Sequence, residues 1–590
     1  MSTPSLFSVI KKLNSLLEPA QRWQCGRILG FSLCTAILEV ITASVIVLFA
    51  QVLNQPESGH KYFSKMGFGA HLSFSRMVLY TAILCGITYL IKNIVGAAEV
   101  FYQNFAIQKM NYDFKNKLLH RYAKADYGFY LTRNSSLGLS VVGGDVEQTF
   151  SLGMIALANI ISESVVFFGL IIMIIMMDPS LALIIACIGI VVALIVSKGL
   201  MPQFYRWGQK LQIFSLNGSQ HLSQFFHAFK EIILLGKREA FINAYQAFAK
   251  KKSQIQAMQA AINALPRMVI EVLFVGCFVV TIACLCFEQE SSVQMMGILG
   301  GYLYAGFRLM PGINRIIGQL NNFKCVTPNI ERLYEEYHKV AQQESIVDVP
   351  SFHFEKTIVV KDLSFRYLNT ERDVLSNINL EIKKGECLGI VGETGSGKST
   401  LVDIILGLLR PHQGSIQIDN QYPANSYQWH QKLAYVPQAI YLIDDTIESN
   451  IAFGERPEAI NQMQLHKAIQ DAQLNTLIEH LPAGVKTIVG ERGIRLSGGE
   501  RQRIAIARAL YRSPEVLIFD EATSALDTET EARLMETIQA VRLDRTVIMI
   551  AHRLTTLKDC DRIVIMEKGT IKKVTTYQDL QAMNTNSSTL

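Results

Sequence analysis

The sequence predicts an α-helical membrane domain with six transmembrane helices, followed in the same chain by an α/β domain built around a phosphate-binding loop. Two observations predict the membrane domain. Six long apolar segments lie before about residue 323, and Lys and Arg cluster in the loops between them. The third observation is the sequence GETGSGKS at residues 392–399, between an apolar strand and an amphipathic helix. The strand–helix alternation around it is typical of a parallel sheet.

Residues 1–27 are predicted to form an amphipathic segment on the cytoplasmic side. They are mixed in character and contain no short apolar core with a small-residue cleavage pattern, so we expect no cleavable signal. The net charge of +6 is too small to indicate a nucleic-acid-binding protein. Six of the ten cysteines lie in apolar runs, which argues against a disulfide framework.

Each of the six apolar segments is near the ~20 residues that cross ~30 Å of hydrocarbon as a helix. They span residues 28–53, 77–98, 154–177, 180–200, 268–287 and 293–317. The loops after the second and fourth segments are rich in Lys and Arg, which places both loops and both termini in the cytoplasm. Lys61, Lys65 and Arg76 in the first outer loop are a weaker, contrary signal. Both long loops are predicted to be helical, with tips near 127–134 and 227–241 that press on a cytoplasmic domain.

The chemistry of phosphate binding explains the spacing of the residues in the loop at 392–399. Glycine lets the backbone curl so that its N–H groups face polyphosphate oxygens, and the next helix turns its positive N-terminus to the same anion. Lys398 is expected to reach the β- and γ-phosphates, and the Ser399 hydroxyl to ligate Mg²⁺. The alternative is a chance glycine-rich turn. The predicted nucleotide-binding residues here are Gly392, Glu393, Thr394, Gly395, Ser396, Gly397, Lys398, Ser399 and Thr400.

The apolar segment 516–520 ends in two successive carboxylates, Asp520 and Glu521. A buried parallel strand delivers such residues to the nucleotide crevice, and Asp520 is placed to hold the Mg²⁺ shell. Because side chains alternate along a strand, Glu521 points elsewhere and is the candidate to polarise the attacking water. An ordinary strand-end turn is the alternative.

A second anion site is predicted at the start of a helix, where Leu496 precedes Ser497, Gly498, Gly499 and Glu500. The order of phosphate loop, LSGGE and apolar Asp-Glu strand resembles the nucleotide-binding domain of ATP-binding-cassette (ABC) proteins over about residues 350–575. The resemblance implies ATP and Mg²⁺ as ligands and a hydrolytically competent site.

The same resemblance implies roles for further residues. Tyr367 is similar to the aromatic residue that stacks on adenine, although a tyrosine there is equally explained by the core. Gln438 resembles the glutamine that contacts Mg²⁺ and senses the membrane domain, and His552 resembles the γ-phosphate contact. Asp527 ends a loop similar to the one passed between two such domains, and residues 487–491 resemble the exporter-specific loop.

Six spans before an ABC domain resemble a type IV exporter half-transporter. The resemblance implies a domain-swapped dimer, in which the LSGGE of one chain closes over ATP held by the other. A second copy of the same chain is the simplest partner, and a heterodimer remains open. The expected organisation is an N-terminal segment at 1–27, a transmembrane domain at 28–323, a linker at 324–349 and a nucleotide-binding domain at 350–590. The lack of a peptidase-sized extension argues against a peptide-processing exporter.

The substrate is predicted from charges inside the spans, which are costly in hydrocarbon. Arg267, Arg308 and Arg315 are explained either by snorkelling or ion pairing with residues such as Glu271, or by a basic cavity patch for a phosphorylated headgroup. The short segments around these arginines resemble bacterial lipid-linked oligosaccharide flippases, which move a polyprenyl-pyrophosphate glycan outward. That implies a pyrophosphate contact for all three and a bacterial-type inner membrane. A multidrug or lipid A exporter and a non-transporting regulatory ATPase are the alternatives; a soluble ATPase of DNA repair is excluded by the spans.

Overall fold

The computed structural model describes residues 4–54, 73–177, 196–287, 292–342, 347, 349–368, 370–521, 528–542, 545–551 and 553–587. The chain divides into two compact units. The helical unit comprises residues 1–123 and 134–342, and the α/β unit comprises residues 124–133 and 343–590.

The helical unit consists of long helices joined by short ones. They are α1 (Leu6–Leu16), α2 (Pro19–Asn54), α3 (Phe74–Lys124), α5 (Ser135–Ser140), α6 (Ile155–Met177), α7 (Met201–His227), α8 (Phe229–Leu234), α9 (Arg238–Phe287) and α10 (Ser292–Gln342). The intervening helix α4 (Tyr127–Leu131) belongs to the α/β unit. Both long loops, which the sequence predicted to be helical, are helical, and their tips carry the short helices α4 and α8.

Within the described residues, four helices are long and apolar enough to cross a membrane. They cover Pro19–Phe49, Phe74–Lys124, Ser136–Ile172 and Arg238–Val280. These match the first, second, third and fifth predicted segments. Most of the fourth segment, at 180–200, lies outside the described residues. The sixth lies within α10, where the side chains up to residue 308 are outside the described part.

The N-terminal segment differs from the single stretch predicted over residues 1–27. Helix α1 ends at Leu16, Leu17 is extended, and α2 begins at Pro19. Proline explains the break, because it lacks a backbone N–H and disfavours helical backbone in the residue before it. Helix α1 buries one apolar face, formed by Val9, Leu13 and Leu16.

Helix α10 also differs from prediction, because residues 324–342, assigned to the linker, continue it. The charged residues of this stretch resemble a connector, but its apolar residues recur every three or four positions. Val326, Ile330, Leu333, Tyr337 and Val340 are all buried. This spacing is the helical signal, and it was present in the sequence.

Two turns of π-helix, Val141–Asp145 and Gln148–Met154, lead into α6. The guanidinium of Arg332 on α10 donates to both carboxylate oxygens of buried Asp145, and to the hydroxyl of Ser140. Gln148 accepts a hydrogen bond from Asn329. These hydrogen bonds lie beside an apolar cluster and tie α10 to the start of α6.

The α/β unit contains two sheets. Its strands are β1 (Thr357–Phe365), β2 (Leu375–Lys383), β3 (Cys387–Gly392), β4 (Gln413–Ile418), β5 (Tyr422–Pro423), β6 (Leu433–Val436), β7 (Val516–Asp520), β8 (Thr546–Ile550), β9 (Arg562–Glu567) and β10 (Thr570–Thr575). The first sheet is antiparallel in the order β2-β1-β4-β5. The second has the order β10-β9-β3-β8-β7-β6 and is parallel except for β10.

The parallel sheet carries the predicted site at the carboxyl ends of its strands. All five residues of β7 are buried, as expected of a strand covered on both faces. The helices of this unit are α11 (Lys398–Ile405), α12 (Tyr427–His430), α13 (Ile447–Ile451), α14 (Gln462–Asp471), α15 (Asn475–His480), α16 (Gly498–Tyr511), α17 (Thr528–Arg542) and α18 (Tyr577–Ser587). Strand β3, which precedes the phosphate loop, and strand β7, which ends in Asp520, lie where the sequence predicted them.

Candidate nucleotide site

The predicted phosphate loop connects β3 to α11. Gly397 has a φ of 99°, and a Cβ there would lie 2.6 Å from the Leu375 side chain. At Gly392, a Cβ would lie 2.3 Å from the carbonyl oxygen of Met566. Only glycine fits both positions, since one needs a left-handed backbone and the other a very close approach. The curled conformation of the loop therefore depends on these two glycines.

Lys398 curls back over this loop. Its Nζ donates to the carbonyl oxygens of Gly392 at 2.8 Å and Glu393 at 2.9 Å. Burial lowers the pKa of Lys398, and the charges of Glu521 and Asp520 oppose that shift. An ammonium has three donors, so one remains for another partner. The side chain lies at the loop, where the sequence predicted a phosphate contact.

Asp520 ends β7, and its side chain is 5% exposed. Its Oδ2 accepts a hydrogen bond from the Tyr435 hydroxyl at 3.1 Å, and its carboxylate also bonds the Ser399 side chain. Burial is the largest effect and raises the pKa of Asp520, while these hydrogen bonds lower it. Two of the predicted Mg²⁺ ligands, Ser399 and Asp520, are thus adjacent.

These oxygen donors fit magnesium by their chemistry. Mg²⁺ prefers hard oxygen ligands and is held by one or two protein groups together with phosphates and water. Among the residues that the structure describes, no group of three or more His, Cys, Asp and Glu side chains forms a metal cluster. A hydroxyl and a carboxylate side by side, next to a phosphate-type loop, suit this cation better than a metal that requires nitrogen or sulfur ligands.

Glu521 has a partner and a backbone conformation different from those of Asp520. Its Oε2 accepts a hydrogen bond from the Gln438 side-chain amide at 2.6 Å. Its φ is 51°, in the left-handed region that costs a residue with a side chain about 1–2 kcal/mol. Sequence reasoning placed Gln438 beside the metal; the structure places its amide on Glu521. Nothing in the local sequence signals this pair, since 83 positions separate the two residues.

Tyr367 lies close to the start of α11. Its hydroxyl is 3.0 Å from the Thr400 hydroxyl, and its ring meets Phe365 edge-on, with ring centres 5.0 Å apart. The predicted adenine-stacking residue is therefore adjacent to the phosphate loop. Thr400 itself is buried, with 7% of its surface exposed.

Helix α4 brings further groups to this region from elsewhere in the chain. Asp126 caps the helix by accepting from the Gly128 N–H at 2.7 Å, and it lies 3.8 Å from the Arg410 guanidinium. Burial raises the pKa of the Tyr127 hydroxyl, and the nearby charge of Asp403 adds to the shift. Burial, and then the charge of Asp520, raise the pKa of Asp403 to about 6. Sequence reasoning did not single out Asp403, Tyr127 or Tyr435.

The LSGGE segment begins α16. The Ser497 hydroxyl accepts from the Glu500 N–H at 3.3 Å, and the Glu500 carboxylate accepts from the Ser497 N–H at 2.7 Å. This capping box satisfies the first turn and leaves Ser497 exposed, with Gly498 and Gly499 at the first two helical positions. Asp527 and His552 lie outside the described residues. Residues 487–491 pair with the chain before α13 through backbone bonds at Thr487 and Val489.

The helical unit contains a cavity of about 600 Å³ whose lining includes charged side chains. Two ion pairs line it: Lys92 with Glu39 and Arg315 with Glu163, both at 2.9 Å. Arg267 does not line it. That side chain is 74% exposed and pairs with Glu271 at 2.8 Å, one turn along the same helix. The side chain of Arg308 lies outside the described part. One of the three predicted substrate arginines therefore lines the cavity, and its charge is balanced by a carboxylate.

Known protein families match this chain in both of its units. Residues 28–299 match the family model for the ABC transporter transmembrane region, and residues 375–524 match the model for the ABC transporter itself. An ATP-dependent lipid A-core flippase of Chromohalobacter salexigens is 30% identical over 464 residues, which cover 77% of this chain and 78% of the relative. The chain belongs to the ABC transporter family.

Other matches extend over nearly all of this ABC transporter. An ATP-dependent lipid A-core flippase of Pseudomonas syringae pv. tomato is 27% identical over 594 residues, covering 99% of this chain and 96% of the relative. A solved structure, described as a bacterial Atm1-family ABC exporter with ATP bound, superposes with a TM-score of 0.74 at 24% identity, covering 94% and 96% of the two chains. The predicted fold class is confirmed: a helical transmembrane domain fused to an ABC ATPase domain. The protein is an ABC transporter that couples ATP hydrolysis to transport across a membrane.

Proposed function

We propose that this ABC transporter is an outward flippase for a lipid-linked glycan, with a polyprenyl-pyrophosphate oligosaccharide as its substrate, in a bacterial-type inner membrane. The observation that carries the proposal is the cavity of the helical unit, which is lined by two ion pairs that lie within predicted membrane spans or next to them. Ion pairs in such surroundings are costly and usually mark a path for polar groups. A glycan with a phosphate group is a headgroup of this kind.

The outer surface of the helical unit suits the lipid part of such a substrate. Helix α2 exposes Leu33, Ile37 and Ile41, which lie four residues apart and form an apolar stripe. The same helix presents Glu39 to the cavity. A single helix therefore carries an apolar face and a polar face, which matches a molecule with a hydrocarbon tail and a charged headgroup.

Arg315 is the residue we assign to the phosphate. Its side chain is 53% exposed while that of its partner Glu163 is 17% exposed, so the arginine has room for a second anionic partner. Planar guanidinium groups suit phosphate oxygens. Arg308, whose side chain is not described, is proposed for the same role from its similarity to the flippase segment. Arg267 is exposed outside the cavity and paired with Glu271, which makes it a weaker candidate for the phosphate contact.

At the nucleotide site we assign the metal to Ser399, Asp520 and Gln438, and the activation of water to Glu521. Bound Mg²⁺ would neutralise charge on the β- and γ-phosphates. Lys398 binds and orients the same phosphates, Tyr367 stacks on the adenine ring of the nucleotide, and His552 contacts the γ-phosphate. Gln438 would ligate the metal through its Oε1, because its Nε2 is the atom that donates to Glu521.

We further propose that two copies of this chain assemble into a homodimer. Ser497 is exposed at the N-terminus of α16, and neighbouring Ile494 is 80% exposed. A positive helix end and an uncovered apolar side chain suit contact with ATP and protein of a second copy. Ser497, Gly498, Gly499, Glu500 and Asp527 would then complete the partner's site.

A second candidate substrate is favoured by the relatives, two of which are described as lipid A-core flippases at 27% and 30% identity. Lipid A-core and polyprenyl-pyrophosphate glycans share a chemistry, namely a phosphorylated glycan on a lipid. The cavity charges fit both.

The test uses purified protein in proteoliposomes, with ATP supplied on the side of the α/β unit. One arm contains a fluorescent polyprenyl-pyrophosphate oligosaccharide, the second a labelled lipid A-core, and a third a hydrophobic drug. Glu521→Gln protein is the inactive control in every arm. Movement in the first arm alone supports the proposal, and movement in the second alone assigns the lipid A-core. Drug movement alone indicates a multidrug exporter. ATP hydrolysis without movement in any arm contradicts a flippase and favours a regulatory ATPase.

A further inference from the structure

A tyrosine outside the predicted nucleotide motifs contacts the carboxylate at the centre of the site. Tyr435 lies on β6, the strand that pairs in parallel with β7, and it is opposite Ile518 in the register. Its hydroxyl reaches two residues further along β7 and donates to Asp520 Oδ2 at 3.1 Å. The ring is half-buried and packs against the apolar cluster beneath the sheet.

Asp520 is held from two directions. Tyr435 donates from the neighbouring strand, and Ser399 bonds the carboxylate from the first turn of α11. A carboxylate has two oxygens and about four acceptor positions. A hydroxyl fixed to Oδ2 by a ring that is itself packed limits rotation about the last side-chain bond, which is otherwise a broad torsion.

We propose that Tyr435 is a positioning residue that holds the Asp520 carboxylate in the orientation needed to bind the nucleotide's metal ion. The hydroxyl bonds Oδ2 and so keeps Oδ1 directed away from β6. Tyr435 does not touch the metal or the nucleotide; it acts through Asp520. The inference rests on the metal role proposed above for Asp520, and it is independent of the lipid substrate.

The arrangement follows a general rule for metal sites. Ligating side chains need a second group that fixes their orientation, and removal of that group typically weakens metal binding by about 10–100-fold. We expect the loss of the Tyr435 hydroxyl to weaken metal binding by an amount at the lower end of this range, because Ser399 retains one bond to the carboxylate. We therefore expect about a tenfold effect.

The variant is Tyr435→Phe, which removes one oxygen atom and keeps the ring in the core. Tyr511→Phe is the matched control. The Tyr511 hydroxyl also donates to a carboxylate in the same unit, that of Glu455 at 2.7 Å, but away from Asp520. Both changes are made in full-length Glu521→Gln protein so that ATP is not consumed. Asp520→Asn in the same background tests the underlying metal role.

The readout is binding of Mn²⁺, followed by electron paramagnetic resonance in the presence of saturating ATP. ATP affinity without metal and the thermal midpoint are measured beside it. Tyr435→Phe should weaken Mn²⁺ binding about tenfold and leave metal-free ATP affinity unchanged, and Tyr511→Phe should leave both unchanged. Mn²⁺ affinity equal to the parent would overturn the proposal. An equal loss of Mn²⁺ binding, ATP binding and thermal stability would show that the hydroxyl is only structural, and would overturn it too.

The metal-role control separates two failures. If Asp520→Asn leaves Mn²⁺ binding intact, the metal role proposed for Asp520 is wrong. The positioning role of Tyr435 is then wrong as well, because it acts through Asp520. If Asp520→Asn abolishes Mn²⁺ binding while Tyr435→Phe does nothing, only the positioning role is wrong. Neither result depends on whether the proteoliposomes move a lipid.

Discussion

Replacing Asp403 by asparagine should stabilise the α/β unit at neutral pH and have little effect in mild acid. Burial raises the pKa of the Asp403 carboxyl from 3.8 to about 6, and the nearby charge of Asp520 adds to the shift. Between these two values the folded protein binds a proton that the unfolded chain does not. Stability from this group is therefore present below about pH 4 and is lost as the pH rises through about 6. Asparagine stays neutral and resembles the protonated side chain at every pH.

The magnitude follows from the shift. A pKa change of about two units corresponds to about 3 kcal/mol at full burial. Asp403 is only half-buried, so solvent screening reduces the effect, and we expect about 1 kcal/mol. For a domain of this size, about 1 kcal/mol raises the thermal midpoint by about 2–4 °C.

The assay is thermal unfolding of the detergent-purified protein at several pH values between about 5 and 8. The advantage of Asp403→Asn over wild type should grow with pH and level off above about pH 7. Glu371→Gln, at an exposed carboxylate of the same unit, is the control for a change of one charge. A difference between Asp403→Asn and wild type that is constant with pH, or largest in acid, would refute the reasoning.

Three other substitutions test the site and the packing. Glu521→Gln should keep ATP binding and slow hydrolysis by about 10²–10⁴-fold, which is the usual contribution of a general base. The rate of phosphate release measures this, and a normal rate would show that Glu521 is not the general base. Lys398→Ala should lose tight nucleotide binding, because the ammonium at the loop is removed. Titration with a fluorescent ATP analogue measures the affinity, and an unchanged affinity would contradict the assignment of the phosphate loop. Gly208→Ala should destabilise the helical unit by about 1–3 kcal/mol, since its Cβ would lie 2.0 Å from the Cys325 carbonyl oxygen. Its thermal midpoint is compared with that of Gly218→Ala on the same helix, where the nearest atom is 3.9 Å away; equal midpoints would contradict the clash.

The phosphate loop was predictable from sequence because its chemistry is local. Glycines at fixed offsets, a lysine and a hydroxyl within eight positions define both the backbone curl and the ligand. The same holds for LSGGE, whose Ser497 and Glu500 cap their own helix. The strand before Asp520 was predictable from its unbroken apolar run, since a strand buried on both faces needs one.

The partners of these residues were not predictable, because they come from distant parts of the chain. Tyr435 and Asp520 are 85 positions apart, and Gln438 and Glu521 are 83 apart. Only the parallel pairing of β6 with β7 brings them together. Arg315 and Glu163 also meet only through the packing of α10 on α6, so the sequence left open whether that arginine was paired.

The two successive carboxylates show how the fold gives neighbouring residues of like charge different surroundings. Asp520 is buried at the end of β7 and accepts hydroxyl donors from both sides, which fixes its orientation. Glu521 turns away through a left-handed backbone and accepts a hydrogen bond from the side-chain amide of the exposed Gln438. A metal ligand must be held rigidly, whereas a general base must exchange one partner for water. Tyr435 and Gln438 lie three residues apart, on β6 and in the loop after it. The end of β6 therefore supplies a donor suited to holding a carboxylate, and the loop after it supplies a donor suited to releasing one. A displacement of that loop would move Gln438 before it disturbed the packed ring of Tyr435.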